Sequence, residues 1–232
     1  MKKTIITGLA ALALGLASSA SAAFLGLTGS LTVTHTPGYS AGGAEYTVTL
    51  TDAPALLLSA IASYSPSASL APNSIQTFCL EGDESAGDGR FVVNSWADAG
   101  GRNTDDGDPL SIGASWLYCQ FARGILAGYD YIPGAGRLAS ARALQEAVWA
   151  LEDERTAPVG GLAGLFYQLG LDNGGKANAA PGQNSVYVLN VTAADGTKKQ
   201  DFMIYVPEGG SLLIVFGLSL CGLSVYRRRL QK

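Results

Sequence analysis

Cys79 and Gln145 are two side chains whose types could bond covalently to each other. Cys79 stands in Thr77-Phe78-Cys79-Leu80-Glu81 and Gln145 in Leu144-Gln145-Glu146-Ala147-Val148-Trp149. A cysteine thiolate held against a glutamine carboxamide can attack its carbon and expel ammonia, leaving an internal thioester. Unassisted, that exchange is uphill, because an amide is traded for a less stabilised acyl group. A fold that holds both atoms in contact supplies an effective concentration on the order of 10⁵ M or more. The product is an electrophile that an amine or a sugar hydroxyl can capture once, freeing the cysteine. That reaction is adhesion without turnover, so the expectation is a protein that is not an enzyme.

The elements that must position this pair follow from periodicity. Leu25 to Thr36 and Glu45 to Thr51 alternate apolar residues with Thr or Ser and read as strands, with Gly38 and Gly42-Gly43 between them. Ser74 to Leu80 and Phe91 to Trp96 are shorter strands, which places Cys79 near a strand end. Leu144, Ala147, Val148 and Leu151 recur at helical spacing, so Ser140 to Glu154 reads as a helix with Ser140 as its N-cap. Gln145 then lies between the apolar stripe and the face carrying Arg142. Trp149 falls one turn later on its side, where it could shield the bond from water.

A preceding helix is expected over Ser111 to Leu126. A third carries Leu162, Leu165, Phe166 and Leu169 and is closed by Asn173-Gly174-Gly175. Ser185 to Val191 and Gln200 to Val206 flank Asp195-Gly196 and read as a hairpin. Strands, a helical middle and strands again predict an α+β domain, a sheet or sandwich with a helical insertion.

Other residues narrow the chemistry. The single histidine, His35, leaves little prospect of a His-rich metal cluster or a Ser-His-Asp site, and it reads as a solvent-facing strand residue. Asp105, Asp106 and Asp108 around Gly107 lack the spacing of a calcium loop and read as a polar turn. Glu152, Asp153 and Glu154 read as a solvated cluster ending the middle helix, with pairing to Arg142 or Arg155 as an alternative. No metal or other cofactor is expected. Residues 23–206 carry nine Lys and Arg against eighteen Asp and Glu, about −9 at neutral pH, which argues against a nucleic-acid partner. Cys119 keeps a second reading open: a Cys79–Cys119 disulfide, or two free thiols, in a non-reactive structural or matrix protein.

The two ends read as an address. Lys2-Lys3, the apolar run Ile5 to Leu16 and the small residues Ala20-Ser21-Ala22 form a secretory signal, with the mature chain starting at Ala23. At the other end, Val206-Pro207-Glu208-Gly209-Gly210 precedes an apolar run from Ser211 to Tyr226, then Arg227-Arg228-Arg229. The run would make a helix of roughly 24 Å, short of a ~30 Å membrane core unless its flanks help. Cys221 lies inside it. The expected architecture therefore adds a C-terminal transmembrane helix, oriented by the three arginines.

This tail resembles the PEP-CTERM family of bacterial sorting signals, closest to its VPDSG type, although Glu208-Gly209 departs from both motifs. The resemblance implies an exosortase-like processing enzyme and the membrane as partners. It also implies an exported protein of the cell envelope, surface or extracellular matrix. The segments around Phe78-Cys79-Leu80 and Gln145-Glu146-Ala147-Val148-Trp149 resemble the paired motifs of bacterial thioester domains. The wider middle, Ala114-Ser115-Trp116-Leu117-Tyr118 with Gln200-Asp201-Phe202, resembles domains carried by exosortase-sorted proteins. That resemblance implies a Cys79–Gln145 thioester, shielded by Phe78 and Trp149, and an amine- or hydroxyl-bearing surface or polysaccharide target.

Overall fold

A computed structural model describes residues 23–39, 43–62, 71–98 and 107–207. Its elements, in order, are β1 (Thr28–Thr34), β2 (Tyr46–Asp52), α1 (Ala55–Ala62), β3 (Ser74–Thr77), β4 (Gly89–Asn94), β5 (Trp96–Ala97) and β6 (Asp108–Pro109). They continue with α2 (Ile112–Ala122), α3 (Ala135–Leu151), α4 (Gly161–Asp172), β7 (Val186–Thr192) and β8 (Lys198–Tyr205).

Six strands form one antiparallel sheet in the order β3-β2-β1-β4-β7-β8. The sheet curls until its ends meet. Past Thr77 the chain runs beside β8, where Met203 N–H donates to Phe78 O at 3.5 Å and Leu80 N–H to Asp201 O at 3.2 Å. Cys79 sits opposite Phe202 at this seam. Closure of this kind pairs backbone groups that two open edge strands would leave bare. Of the expected sheet or sandwich, the structure has the sheet, curled rather than split into two layers.

The curl separates two cores. Alternate residues of β7 and β8 serve opposite faces, as the period of two requires. Tyr187, Leu189, Val191, Phe202 and Ile204 pack inside the curl with Leu31, Tyr46, Val48, Leu50, Phe91, Val93 and Cys79. Val186, Val188 and Met203 pack outside, with Phe78 and Leu80, against Leu117, Tyr118 and Phe121 of α2, Leu144, Ala147 and Val148 of α3, and Phe166 of α4. Strands covered on both faces read as continuous apolar runs, which is how β7 and β8 read in sequence.

Helix boundaries shift for physical reasons. The middle helix starts at Ala135 behind Gly134, five residues before Ser140, so Ser140 is not its cap. Its hydroxyl is buried and accepts from Asp130 N–H at 3.0 Å. Ser111 does cap α2, accepting from Ala114 N–H at 3.1 Å. Helix α4 crosses α2 so closely that a Cβ on Gly113 would stand 2.7 Å from Gly170 O.

No helix of the described residues is long and apolar enough to cross a membrane. The longest of them, α3, has 17 residues, against the ~20 that a span requires. It also carries Arg137, Arg142 and Glu146. This corrects the transmembrane helix of the expected architecture. The expected membrane and exosortase-like partners, the surface or polysaccharide target and the envelope location lose that support, since no described helix supplies the anchor. The run 211–226, with Glu208, Gly209, Gly210, Cys221 and Arg227 to Arg229, lies outside the described residues; Pro207 is the last one inside. The signal segment 1–22, with Ala20 and Ala22, and the turn residues Asp105 and Asp106 lie outside them too.

Candidate functional site

The seam of the curled sheet brings Cys79 and Gln145 together. Strand β3 pairs with β2 only as far as Thr77 opposite Tyr46. Two residues on, the backbone of Cys79 has β8 on one side and no strand on the other. The carboxamide of Gln145 fills that place. Cys79 N–H donates to Gln145 Oε1 at 2.9 Å, and Gln145 Nε2 donates to Cys79 O at 2.8 Å. Both residues are buried, at 3 % and 1 % exposure. A buried carboxamide with both ends satisfied is held in one orientation, since losing either bond would strand a polar group.

The contact continues down the helix. Trp149 Nε1 donates to Glu81 O at 2.9 Å. Beyond it, Gly82 N–H donates to Glu154 Oε2 at 2.8 Å, and Arg155 donates to Gly82 O at 2.8 Å. Residues 145 and 149 are one helical turn apart, a rise of about 6 Å. Residues 79 and 81 are two strand positions apart, about 6.6 Å. Matching repeats let one helix face clip one extended segment at successive points.

Trp149 packs against the inner core that contains Cys79. The Arg155 guanidinium lies over its ring, 4.8 Å from the centroid. A cleft of about 380 Å³, lined by Glu146, Trp149, Arg155, Thr156 and Pro158, reaches the indole. Phe78 packs instead in the outer core, edge-on to Phe121 at 4.9 Å. Of the two aromatic residues expected over the pair, only Trp149 shares the sulfur's surroundings.

Cys79 and Cys119 are both free. Cys119 is buried in the outer core on α2, so the two thiols belong to different cores. Burial pushes the Cys79 thiol well above its usual range, and the nearby charge of Glu81 adds to that. The neighbouring Tyr46 hydroxyl works in the opposite direction.

Several polar residues at the site were not singled out from sequence. Glu81 and Asp201 are each 1 % exposed. Glu81 Oε2 accepts from Asp201 N–H at 2.9 Å and from Gln200 Nε2, while Oε1 has no hydrogen-bond partner. Asp201 accepts from the N–H groups of Asp98 and Val191 and from Asn190 Nδ2. Burial raises both carboxyls; the charge of Asp201 adds to the rise at Glu81, and that of Asp98 to the rise at Asp201. The three donors on Asp201 favour negative charge there. The Gln200-Asp201-Phe202 run was legible as a motif, but its partner Glu81 was not.

Glu45, also missed, is fully buried with a left-handed φ of 54°. It accepts from Arg137 Nε at 3.0 Å and from the Tyr129 hydroxyl at 2.5 Å, while Arg137 lies 3.9 Å from the Tyr39 ring centroid. This cluster fixes the start of β2, and so Tyr46, to α3.

The expected solvated acidic cluster is corrected at Glu152. It is 4 % exposed and accepts from Ser111 N–H at 3.1 Å and Ser111 Oγ at 2.5 Å. Burial pushes its carboxyl up to about 8. Asp153 pairs with Lys176, and Glu154 holds Gly82. His35 is exposed just past β1 and packs on Tyr46 with ring centroids 4.7 Å apart and the planes tilted by 44°. Asp108 is buried in β6, and no three His, Cys, Asp or Glu side chains among the described residues converge to hold a metal. No protein-family model, curated protein or solved structure matches this chain.

Proposed function

We propose that this chain forms an internal thioester between Cys79 Sγ and Gln145 Cδ, and uses it for one-shot covalent adhesion. The observation that carries the reading is the paired hydrogen bond of the Gln145 carboxamide to the backbone of Cys79. It keeps the amide carbon against the residue bearing the nucleophile. It also aims the Cys79 N–H at Oε1, the atom on which negative charge builds when the carbon is attacked. A donor fixed there before the reaction favours the tetrahedral intermediate without reorganisation.

The step balances within the pair. The Sγ–Cδ bond forms, the Cδ–Nε2 bond breaks, and the thiol proton ends on nitrogen, which leaves as ammonia. Oε1 keeps its donor throughout, whereas the bond from Nε2 to Cys79 O is lost. An incoming nucleophile then takes the acyl group of Gln145 and returns the thiol. Trp149, clamped through Glu81 O and covered by Arg155, limits access of water to the acyl group.

A second reading has its own observation. The carboxamide occupies the place a β2 residue would fill, and satisfying two buried backbone groups is a sufficient structural task for Gln145. In that reading the protein is a non-reactive structural protein with free thiols at Cys79 and Cys119. The two separate by mass. In the thioester reading the full chain is lighter by one ammonia, and methylamine adds its own mass at Gln145. A full-length mass that methylamine leaves unchanged supports the structural reading.

A further inference from the structure

The segment that carries Cys79 is held to α3 at a second place, Gly82, and the end of the helix is shaped to hold it. Helix α3 ends at Leu151, and Asp153 beyond it takes a left-handed φ of 60°. That turn brings the N–H groups of Glu154 and Arg155 onto Trp149 O, at 2.8 and 3.3 Å. Their side chains thereby reach the backbone of Gly82. Gly82 N–H donates to Glu154 Oε2 and Arg155 Nη2 donates to Gly82 O, each at 2.8 Å. The fit is close: a Cβ on Gly82 would stand 3.2 Å from Glu154 Oε2 and 3.4 Å from Arg155 Nε. Cys79 and Gly82 are thus bound to one helix in the same manner, with both backbone groups of each taken by side chains.

We infer that Glu154 is a positioning residue for the reaction proposed above: by fixing Gly82 to α3 it keeps Cys79 Sγ in register with Gln145 Cδ while the bond between them forms. The inference rests on the thioester reading for its use, and on the Gly82 contacts for its existence. As the Sγ–Cδ bond forms, the Cδ–Nε2 bond breaks and ammonia leaves with the thiol proton. The donor to Cys79 O leaves with it, so the reaction removes half of the hold on Cys79. The contacts at Gly82 involve no reacting atom and outlast the step.

Past Gly82 the chain has no regular structure until β4 opens at Gly89, so Glu154 and Arg155 grip the segment where it leaves the helix. Trp149 adds one bond between the two anchors, to Glu81 O. A segment anchored at both ends on one helix cannot pivot about either. Released at Gly82, it is free to swing the sulfur off its line of attack, and a displacement of about 1 Å costs on the order of a hundredfold in rate.

Two variants of the full chain test this. Glu154→Ala removes the acceptor for Gly82 N–H, and Glu154→Gln keeps one. Chains returned to full mass with excess ammonia, then freed of it, are followed by mass as they lose ammonia again in native buffer. Glu154→Ala is expected to slow that loss roughly tenfold or more, and Glu154→Gln to recover most of the rate. A residue that only stabilised the fold would lower the denaturation midpoint and leave the rate within the folded chain unchanged. Wild-type rates in Glu154→Ala, or no recovery in Glu154→Gln, would overturn the inference and leave the thioester standing.

A wild-type chain that never loses ammonia removes the thioester reading instead. The hold on Cys79 is then decided by hydrogen exchange at its amide, with the amides of β1 as reference. Exchange at Cys79 at least roughly tenfold faster in Glu154→Ala, with β1 unchanged and protection restored in Glu154→Gln, supports Glu154 as the residue that positions Cys79. Unchanged protection of Cys79 in Glu154→Ala overturns it.

Discussion

Gln145 on α3 meets Cys79 as a neighbouring strand would, with its carbonyl oxygen on the Cys79 N–H and its amide nitrogen on the Cys79 carbonyl. The relationship exists because β2 and β3 stop pairing at Tyr46 and Thr77, leaving one residue's backbone to be satisfied by a side chain. It gives Gln145 a structural task and, at the same position, a reactive one. The two roles can be separated by substitution.

Gln145→Ala leaves both buried backbone groups of Cys79 without partners. Each unsatisfied group costs about 1–3 kcal/mol, so chemical denaturation is expected to show a loss of at least about 2 kcal/mol. Gln145→Glu keeps the acceptor but removes the donor and introduces a buried acid. It is expected to destabilise the fold and to abolish the ammonia-loss chemistry. Unchanged denaturation midpoints in both variants would mean that the paired contact does not hold the seam.

Trp149→Ala opens the site, whereas Trp149→Phe keeps a ring and loses only the indole N–H donated to Glu81 O. The first is expected to cost about 3–5 kcal/mol and the second about 1 kcal/mol. The acyl group should hydrolyse faster in Trp149→Ala than in Trp149→Phe, read as the decay of methylamine-reactive protein. Equal lifetimes would remove Trp149 from any shielding role.

The buried Glu45–Arg137 pair gives a test of the scaffold alone. Arg137→Ala strands a carboxylate in the core and is expected to cost about 3–5 kcal/mol. Adding Glu45→Gln should recover part of that, because the charge left behind disappears. A double variant no more stable than Arg137→Ala would show that the loss comes from packing beneath Tyr39.

Stability should fall as pH rises. Glu152 titrates at about 8 in the fold, against an ordinary value near 4.5. A raised folded value means its contribution is fully present below about 4.5 and is lost as pH climbs through about 8. Glu81, also raised by burial, acts in the same direction at higher pH. Denaturation midpoints are expected to drop between pH 5 and pH 9, with a shallower drop in Glu152→Gln, which keeps a neutral side chain beside Ser111. A midpoint that rises over this range would contradict the neutral, buried Glu152.

What was legible in sequence depended on how local the signal was. The β7–β8 hairpin follows from two apolar runs around Asp195-Gly196, and α3 from the spacing of Leu144, Val148 and Leu151. Helix α1 was invisible because Ala55–Ala62 is almost uniformly apolar and has no periodicity to read. The start of α3 was misplaced because its first turns carry Gly136, Arg137 and Ser140, polar or flexible residues whose burial is set by Glu45 and Asp130 from elsewhere in the chain. The Cys79 and Gln145 segments stood out by residue type. Tyr46, Glu81 and Asp201 did not, because they converge only when the sheet closes. Glu152 looked solvated because sequence cannot show that Ser111 turns back to meet it.

The central claim is tested most directly by the mass of the intact, purified full chain, before and after methylamine, with peptide mapping of residues 79 and 145. The account predicts a chain lighter by one ammonia that gains one methylamine at Gln145 and, in the same step, one free thiol at Cys79. A chain of full mass, with a Cys79 thiol and a Gln145 carboxamide that methylamine does not change, would contradict it.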